Sequence, residues 1–150
     1  MTTMTAAPPA RRRTQVCPGY SIGLACWASS VPLARMAART TLRCWGLPKE
    51  TAEGVALVVT ELVSNAVRHA SLANLESPER CHLMLELTTP DTIRVTVYDS
   101  SPRRPVLRHP GDDDTSGRGL YLVAALAANW GVRPVTDGKA VWAVLKAGQQ

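Results

Sequence analysis

Three groups of residues have types and spacings that could do chemistry. The first lies in ELVSNAVRHA, where Glu61, Asn65 and His69 recur at four-residue steps. Such steps place side chains on one face of a helix. A carboxylate one turn from an amide offers a proton acceptor, or a binder of metal-held water, beside a neutral oxygen ligand. That oxygen suits Mg2+, a hard cation that fills its other positions with waters and phosphate oxygens. Asn is a poor helix former, so its place in the helix needs a reason. A polar face turned to solvent is the other reading of the same spacing. The second group is Asp99, which ends the run TIRVTVYD (92–99). Period-two alternation puts Ile93, Val95, Val97 and Asp99 on one face, and Arg94, Thr96 and Tyr98 on the other. A carboxylate on an apolar face needs a partner or a ligand to offset its desolvation. The third group is Gly117-Arg118-Gly119 with Leu120, which opens an Ala/Leu-rich segment. A helix start offers free backbone N–H groups and a positive dipole end, which suit phosphate, and glycine lets a ligand approach the backbone closely. A flexible loop before a helix would also account for these glycines.

The elements that must position these groups follow from periodicity. YSIGLACWA (20–28) suits a first strand. Ser29 and Ser30 can cap a helix with Pro32 in its first turn, in which Leu33, Met36, Ala37 and Thr40 recur at helical spacing. Arg35, Arg39 and Arg43 make a basic stripe on another face, which could meet an acidic partner or simply solvent. This helix should end near Trp45-Gly46, with Pro48 beyond. A second helix begins around 48–50. Its apolar face is Val55, Val58, Val59, Leu62, Val63, Ala66, Val67 and Ala70, with Glu61, Ser64, Asn65, Arg68 and His69 on the other side. After a loop over 71–80 the period becomes two: strands over 81–87 and 92–99 flank a turn. Residues 100–118 form a long polar loop of the length that lids adopt. A helix over 121–129, a short strand entered through Trp130-Gly131-Val132, a turn at Thr136-Asp137-Gly138 and a last strand over 139–145 complete the chain. The order β-α-α-β-β-α-β-β predicts an α+β fold: a mixed sheet covered on one face by helices.

Composition narrows the classes. The 150 residues are about one domain's worth, and 45% are hydrophobic, enough for a core. We expect a basic tail over 1–19, a folded domain over 20–147 and a short tail over 148–150. No apolar run spans a membrane and MTTMTAAPPARRR lacks the apolar segment of a secretory signal, so a cytoplasmic location is expected. The four cysteines, at 17, 26, 44 and 81, have no metal-site spacing and read as small buried hydrophobes in a reducing compartment. The formal charge is +5, with Arg11–Arg13 and Arg103, Arg104 and Arg108 clustered in apparent loops. No nucleic-acid-binding pattern accompanies them, so no direct nucleic-acid partner is expected. Neither a P-loop nor a strand-coupled G-x-G-x-x-G is present.

Taken together and in order, the boxes resemble those of the GHKL ATPases, the family of histidine kinases and DNA gyrase B. ELVSNAVRHA resembles the N box, VTVYDSSPRRP (95–105) the first glycine-box region and SGRGLYLV (116–123) the second. VPLARMAAR, WGVRP and DGKAVWAVL are similar to the stand-alone anti-sigma-factor serine kinase branch, and the resemblance covers about 20–147. It implies a two-layer Bergerat-type sandwich, mostly antiparallel, with an ATP lid, and an ATP- and Mg2+-binding serine/threonine kinase that phosphorylates an antagonist protein and binds a sigma factor. A catalytically weak ATP-binding module that holds a protein partner is the alternative. By position, Glu61 matches the carboxylate that acts as general base or orients the attacking group, Asn65 the Mg2+ ligand and Asp99 the acceptor of the adenine amino group. Gly117, Arg118, Gly119 and Leu120 match the phosphate loop, and Arg68 and His69 lie within reach of the nucleotide. Homodimers are usual in that branch. Two departures stand out. Ser100-Ser101-Pro102 follows the acid where many relatives have Gly. Ala140 stands where relatives often carry a Thr near that acid, which removes a contact worth about 0.5–1.5 kcal/mol.

Overall fold

Alternating strands and two amphipathic helices assemble into two layers, seen in a computed structural model that describes residues 17–70, 78–101 and 118–148. The elements are β1 (Gly19–Ala25), α1 (Ser30–Cys44), α2 (Lys49–His69), β2 (Arg80–Thr89), β3 (Thr92–Asp99), α3 (Arg118–Leu126), β4 (Asn129–Val135) and β5 (Gly138–Lys146). The strands form one five-stranded sheet in the order β1-β2-β3-β5-β4. Each of its pairings is antiparallel, where a mixed sheet was expected. The α+β class and the single helical layer are as the element order predicts.

The inner sheet face is apolar by parity. Leu83 and Leu85 of β2, Ile93, Val95 and Val97 of β3, and Val141, Ala143 and Leu145 of β5 are buried and meet the apolar stripe of α2. Val55, Val58, Val59, Leu62, Val63 and Ala66 of that stripe are buried. Each such side chain contributes on the order of 1.5–3 kcal/mol on leaving water. Asn65 is buried with them, although the helical pattern puts it off the apolar face, whereas Val67 is only partly buried.

Helix α1 departs from its sequence reading. Its buried residues are Ser30, Ala34, Ala38 and Leu42, while Leu33 and Met36 are 53% and 58% exposed. Size explains the inversion: α1 packs against α2 through two alanines, and small residues let two helix backbones approach where Leu and Met would hold them apart. The arginine stripe also faces the chain itself. Arg35 Nε donates to Thr60 Oγ1 at 2.9 Å, Arg39 Nε to Glu53 Oε2 at 3.0 Å and Arg43 Nη1 to the Leu47 carbonyl at 3.4 Å. Ser29 makes no side-chain cap. The other end of α1 follows the sequence signal: Gly46 takes φ 81°, its N–H bonds Arg43 O, and Leu47 N–H bonds Leu42 O. This is the Schellman closure that favours glycine. Among the cysteines, Cys26 and Cys81 are buried as expected, but Cys17 and Cys44 are exposed.

No helix among the described residues is long and apolar enough to cross a membrane.

Candidate functional site

Helix α2 carries the first group. Glu61 is half-buried, and its carboxylate lies against the start of α3. A methyl group built on Gly119 would overlap Glu61 Oε2, so this position accommodates only a residue without a side chain while Glu61 keeps its place. Gly119 and Leu120 stand in the first turn of α3, where backbone N–H groups have no helical partner. The Leu120 side chain is itself fully buried, so its amide alone is available to a ligand. Gly117 and the Arg118 side chain lie outside the described residues, as do 102–116 of the expected lid.

One turn beyond Glu61, Asn65 is 4% exposed. Its Oδ1 accepts a hydrogen bond from Arg68 Nη2, while its Nδ2 is buried with no hydrogen-bond partner among the described residues. Burying an amide donor unpaired costs about 1–3 kcal/mol, which a ligand at this point would recover. His69 closes α2 and is half-buried.

The second group is more elaborate than alternation predicts. Asp99 is buried at the end of β3 and pairs across the ladder with Lys139 of β5. Lys139 Nζ donates to Asp99 Oδ1 at 2.9 Å and to the Ser101 carbonyl at 3.2 Å, and Ser101 N–H donates to the same Oδ1 at 2.9 Å. Both side chains are almost completely enclosed, at 3% and 4% exposure. Gly138 holds the ladder in place: at φ 152°, a Cβ there would run into the Asp99 carbonyl. Ala140, matched in the sequence to the hydroxyl-bearing position beside the acid, instead pairs with Tyr98. It therefore lies on the sheet face away from the Asp99 side chain. The residue beside the acid is Lys139.

Sequence reasoning missed Lys139, although the signal was present. Parity in KAVWAVL puts Lys139 on the side of Val141, Ala143 and Leu145, the same logic that marked Asp99. Asp99 also borders a cleft of about 430 Å³ at the end of the sheet, together with Gly23, Cys81, His82, Tyr98 and Thr136. Glu61 and Asn65 do not line it. Behind Asp99, Cys81 is its ladder partner on β2. Burial, and secondarily the charge and hydrogen bond of Cys26, push the Cys81 thiol up to about 12. Burial also raises the Cys26 thiol, against the Cys81 hydrogen bond that lowers it.

The structure thus combines a sheet with one helical layer, a polar helix face carrying Glu61 and Asn65, and a buried acid at a strand end. A family model described as the histidine kinase-like ATPase domain matches residues 27–145, and the chain belongs to that family. No curated protein sequence matches closely. Among solved structures, the chain resembles the RsbU and RsbW domains of Rv1364c from Mycobacterium tuberculosis, at TM-score 0.64 and 19% identity over 87% of this chain and 32% of that one. It also resembles the histidine kinase domain of the blue-light activated histidine kinase from Erythrobacter litoralis EL346, at TM-score 0.51 and 28% identity over 69% of this chain and 48% of that one. This chain thus spans about a third and about half of those two proteins.

Proposed function

We propose that the protein binds ATP with Mg2+ and transfers the terminal phosphoryl group to a serine or threonine of a small antagonist protein, and that it holds a sigma factor under control of that transfer. The observation that carries this reading is the junction of α2 and α3. There the Glu61 carboxylate abuts the opening turn of α3, one helical turn from the buried, half-satisfied amide of Asn65. Phosphoryl transfer needs chiefly positioning and charge stabilisation. The amides of Gly119 and Leu120 are suited to phosphate oxygens, and Glu61 is suited to take the proton of the attacking hydroxyl. Asp99 would accept from the base.

The donor set fits Mg2+. Asn65 offers a hard oxygen with a second lone pair beyond its bond to Arg68, and this cation needs few protein ligands. No group of three or more His, Cys, Asp or Glu side chains that could hold a metal exists among the described residues. When bound, Mg2+ would offset phosphate charge, with Asn65 as its protein ligand.

Glu61→Ala should abolish transfer of labelled phosphate to a cognate antagonist while leaving nucleotide binding largely intact. Transfer at the wild-type rate would remove Glu61 from the role of base. A second reading, a regulatory module that binds ATP and a protein partner with little transfer, is favoured by one feature: internal cations already engage both Asn65 Oδ1 and Asp99 Oδ1. Saturable ATP binding with no phosphate transferred to any cognate antagonist would select it. A cytoplasmic setting and a homodimer accord with either reading. Size-exclusion chromatography with light scattering tests the dimer.

A further inference from the structure

Nucleotide pockets that rely on a single carboxylate choose a base by its exocyclic group. An amino group donates to the carboxylate, whereas a carbonyl oxygen in the same place faces an acceptor with no proton between them. The acid in this protein does not stand alone. Lys139 Nζ sits 2.9 Å from Asp99 Oδ1, so a charged donor and a charged acceptor lie side by side. The described hydrogen bonds to the carboxylate, from Lys139 and from Ser101 N–H, all fall on Oδ1. Those from the ammonium go to Asp99 Oδ1 and to the Ser101 carbonyl, which account for two of its three donors. The second carboxylate oxygen and the third ammonium hydrogen take part in none of these bonds.

We propose that Lys139 is a specificity-determining residue that lets the pocket take purine nucleotides with either a 6-amino or a 6-keto edge. This rests on the nucleotide-binding reading given above. An adenine edge presents an amino donor beside a ring-nitrogen acceptor: the amino group donates to Asp99 and the ring nitrogen accepts from Lys139. A hypoxanthine edge presents the reverse order: its carbonyl accepts from Lys139 and its ring N–H donates to Asp99. Both pairings are charge-assisted. The couple is fixed in place, because the Asp99–Lys139 register is held by the close approach of Gly138 to the Asp99 carbonyl. A carboxylate without the ammonium beside it would leave the keto oxygen unpaired.

The test compares Mg-ATP with Mg-ITP, which differ only along this edge, by titration calorimetry on the full chain. The wild-type protein should bind the two within about fivefold, the equivalent of roughly 1 kcal/mol. Lys139→Thr should favour ATP over ITP by at least about tenfold, the scale set by one unpaired buried acceptor, and Lys139→Arg should keep the wild-type ratio. A wild-type preference for ATP beyond about fivefold overturns the proposal, as does an unchanged ratio in a folded Lys139→Thr protein. If that variant does not fold, the wild-type ratio decides alone. Failure of the wild-type protein to bind either nucleotide overturns the nucleotide-binding reading, and this proposal with it. ATP binding without ITP binding overturns this proposal only.

Discussion

A buried ammonium is costly unless its acceptors are in place, and Lys139 has two of them within 3.2 Å. Removing one partner of such a pair leaves the other charge uncompensated, which typically costs about 3–5 kcal/mol. Lys139→Ala should therefore lower the unfolding free energy by that order in urea melts. A loss below about 1 kcal/mol would mean that the Asp99 carboxylate is satisfied without the ammonium, by water or by the Ser101 N–H alone. At this scale the sequence was partly legible. Asp99 stood out because alternation placed a carboxylate among Ile93, Val95 and Val97. Its neighbour was misread because alternation gives the face of each residue on its own strand but not which residue of a distant strand lies opposite. Forty positions separate Asp99 from Lys139, and only the ladder register distinguishes Lys139 from Ala140. The Asn65 amide was legible as an anomaly of type. Its burial required the tertiary fold.

Helix α1 teaches a related lesson about elements. The large residues Leu33 and Met36 suggested one inward face, yet the helix turns Ala34 and Ala38 inward and ties Arg35 and Arg39 to α2. Hydrophobicity alone favours the bulky side chains, but close contact between two helices favours the small ones. Enlarging Ala38 should therefore hurt. Ala38→Leu should cost about 1–3 kcal/mol by overpacking, whereas Leu33→Ser should stay within about 0.5 kcal/mol of wild type, both read from thermal or urea denaturation. Equal effects of the two substitutions would argue against the assigned face. The strands were more readable: β3 occupies the predicted 92–99, since a turn on one side and a polar loop on the other bound an uninterrupted alternation. Helix α2 was equally plain, because its apolar stripe runs for several turns.

For the whole molecule, the paired thiols couple stability to alkaline pH. The folded Cys81 thiol ionises near 12 instead of the usual 9.0, so between those values the unfolded chain has lost a proton that the native protein keeps. Stability is then fully present below about pH 9 and falls as pH rises toward 12. Denaturation midpoints should decline across that window, and more shallowly in Cys81→Ala. Thiol labelling at neutral pH should report two fast groups, Cys17 and Cys44, and two protected ones, Cys26 and Cys81. Four fast thiols in the native protein would contradict this. The two-layer architecture was legible from element order, because several apolar strand faces and helix stripes can be buried at once in few ways.

The turn at 136–137 between β4 and β5 has an evolutionary consequence. A one-residue slip of β5 against β3 turns every β5 side chain to the opposite face. It would exchange the Lys139 ammonium for the Ala140 methyl beside Asp99, and would also expel Val141, Ala143 and Leu145 from the interior. The charge beside Asp99 and the apolar packing of β5 are thus inherited as one trait. A lineage cannot change the residue beside Asp99 by changing the length of this turn without turning the core strand over, and must do so by point substitution at position 139.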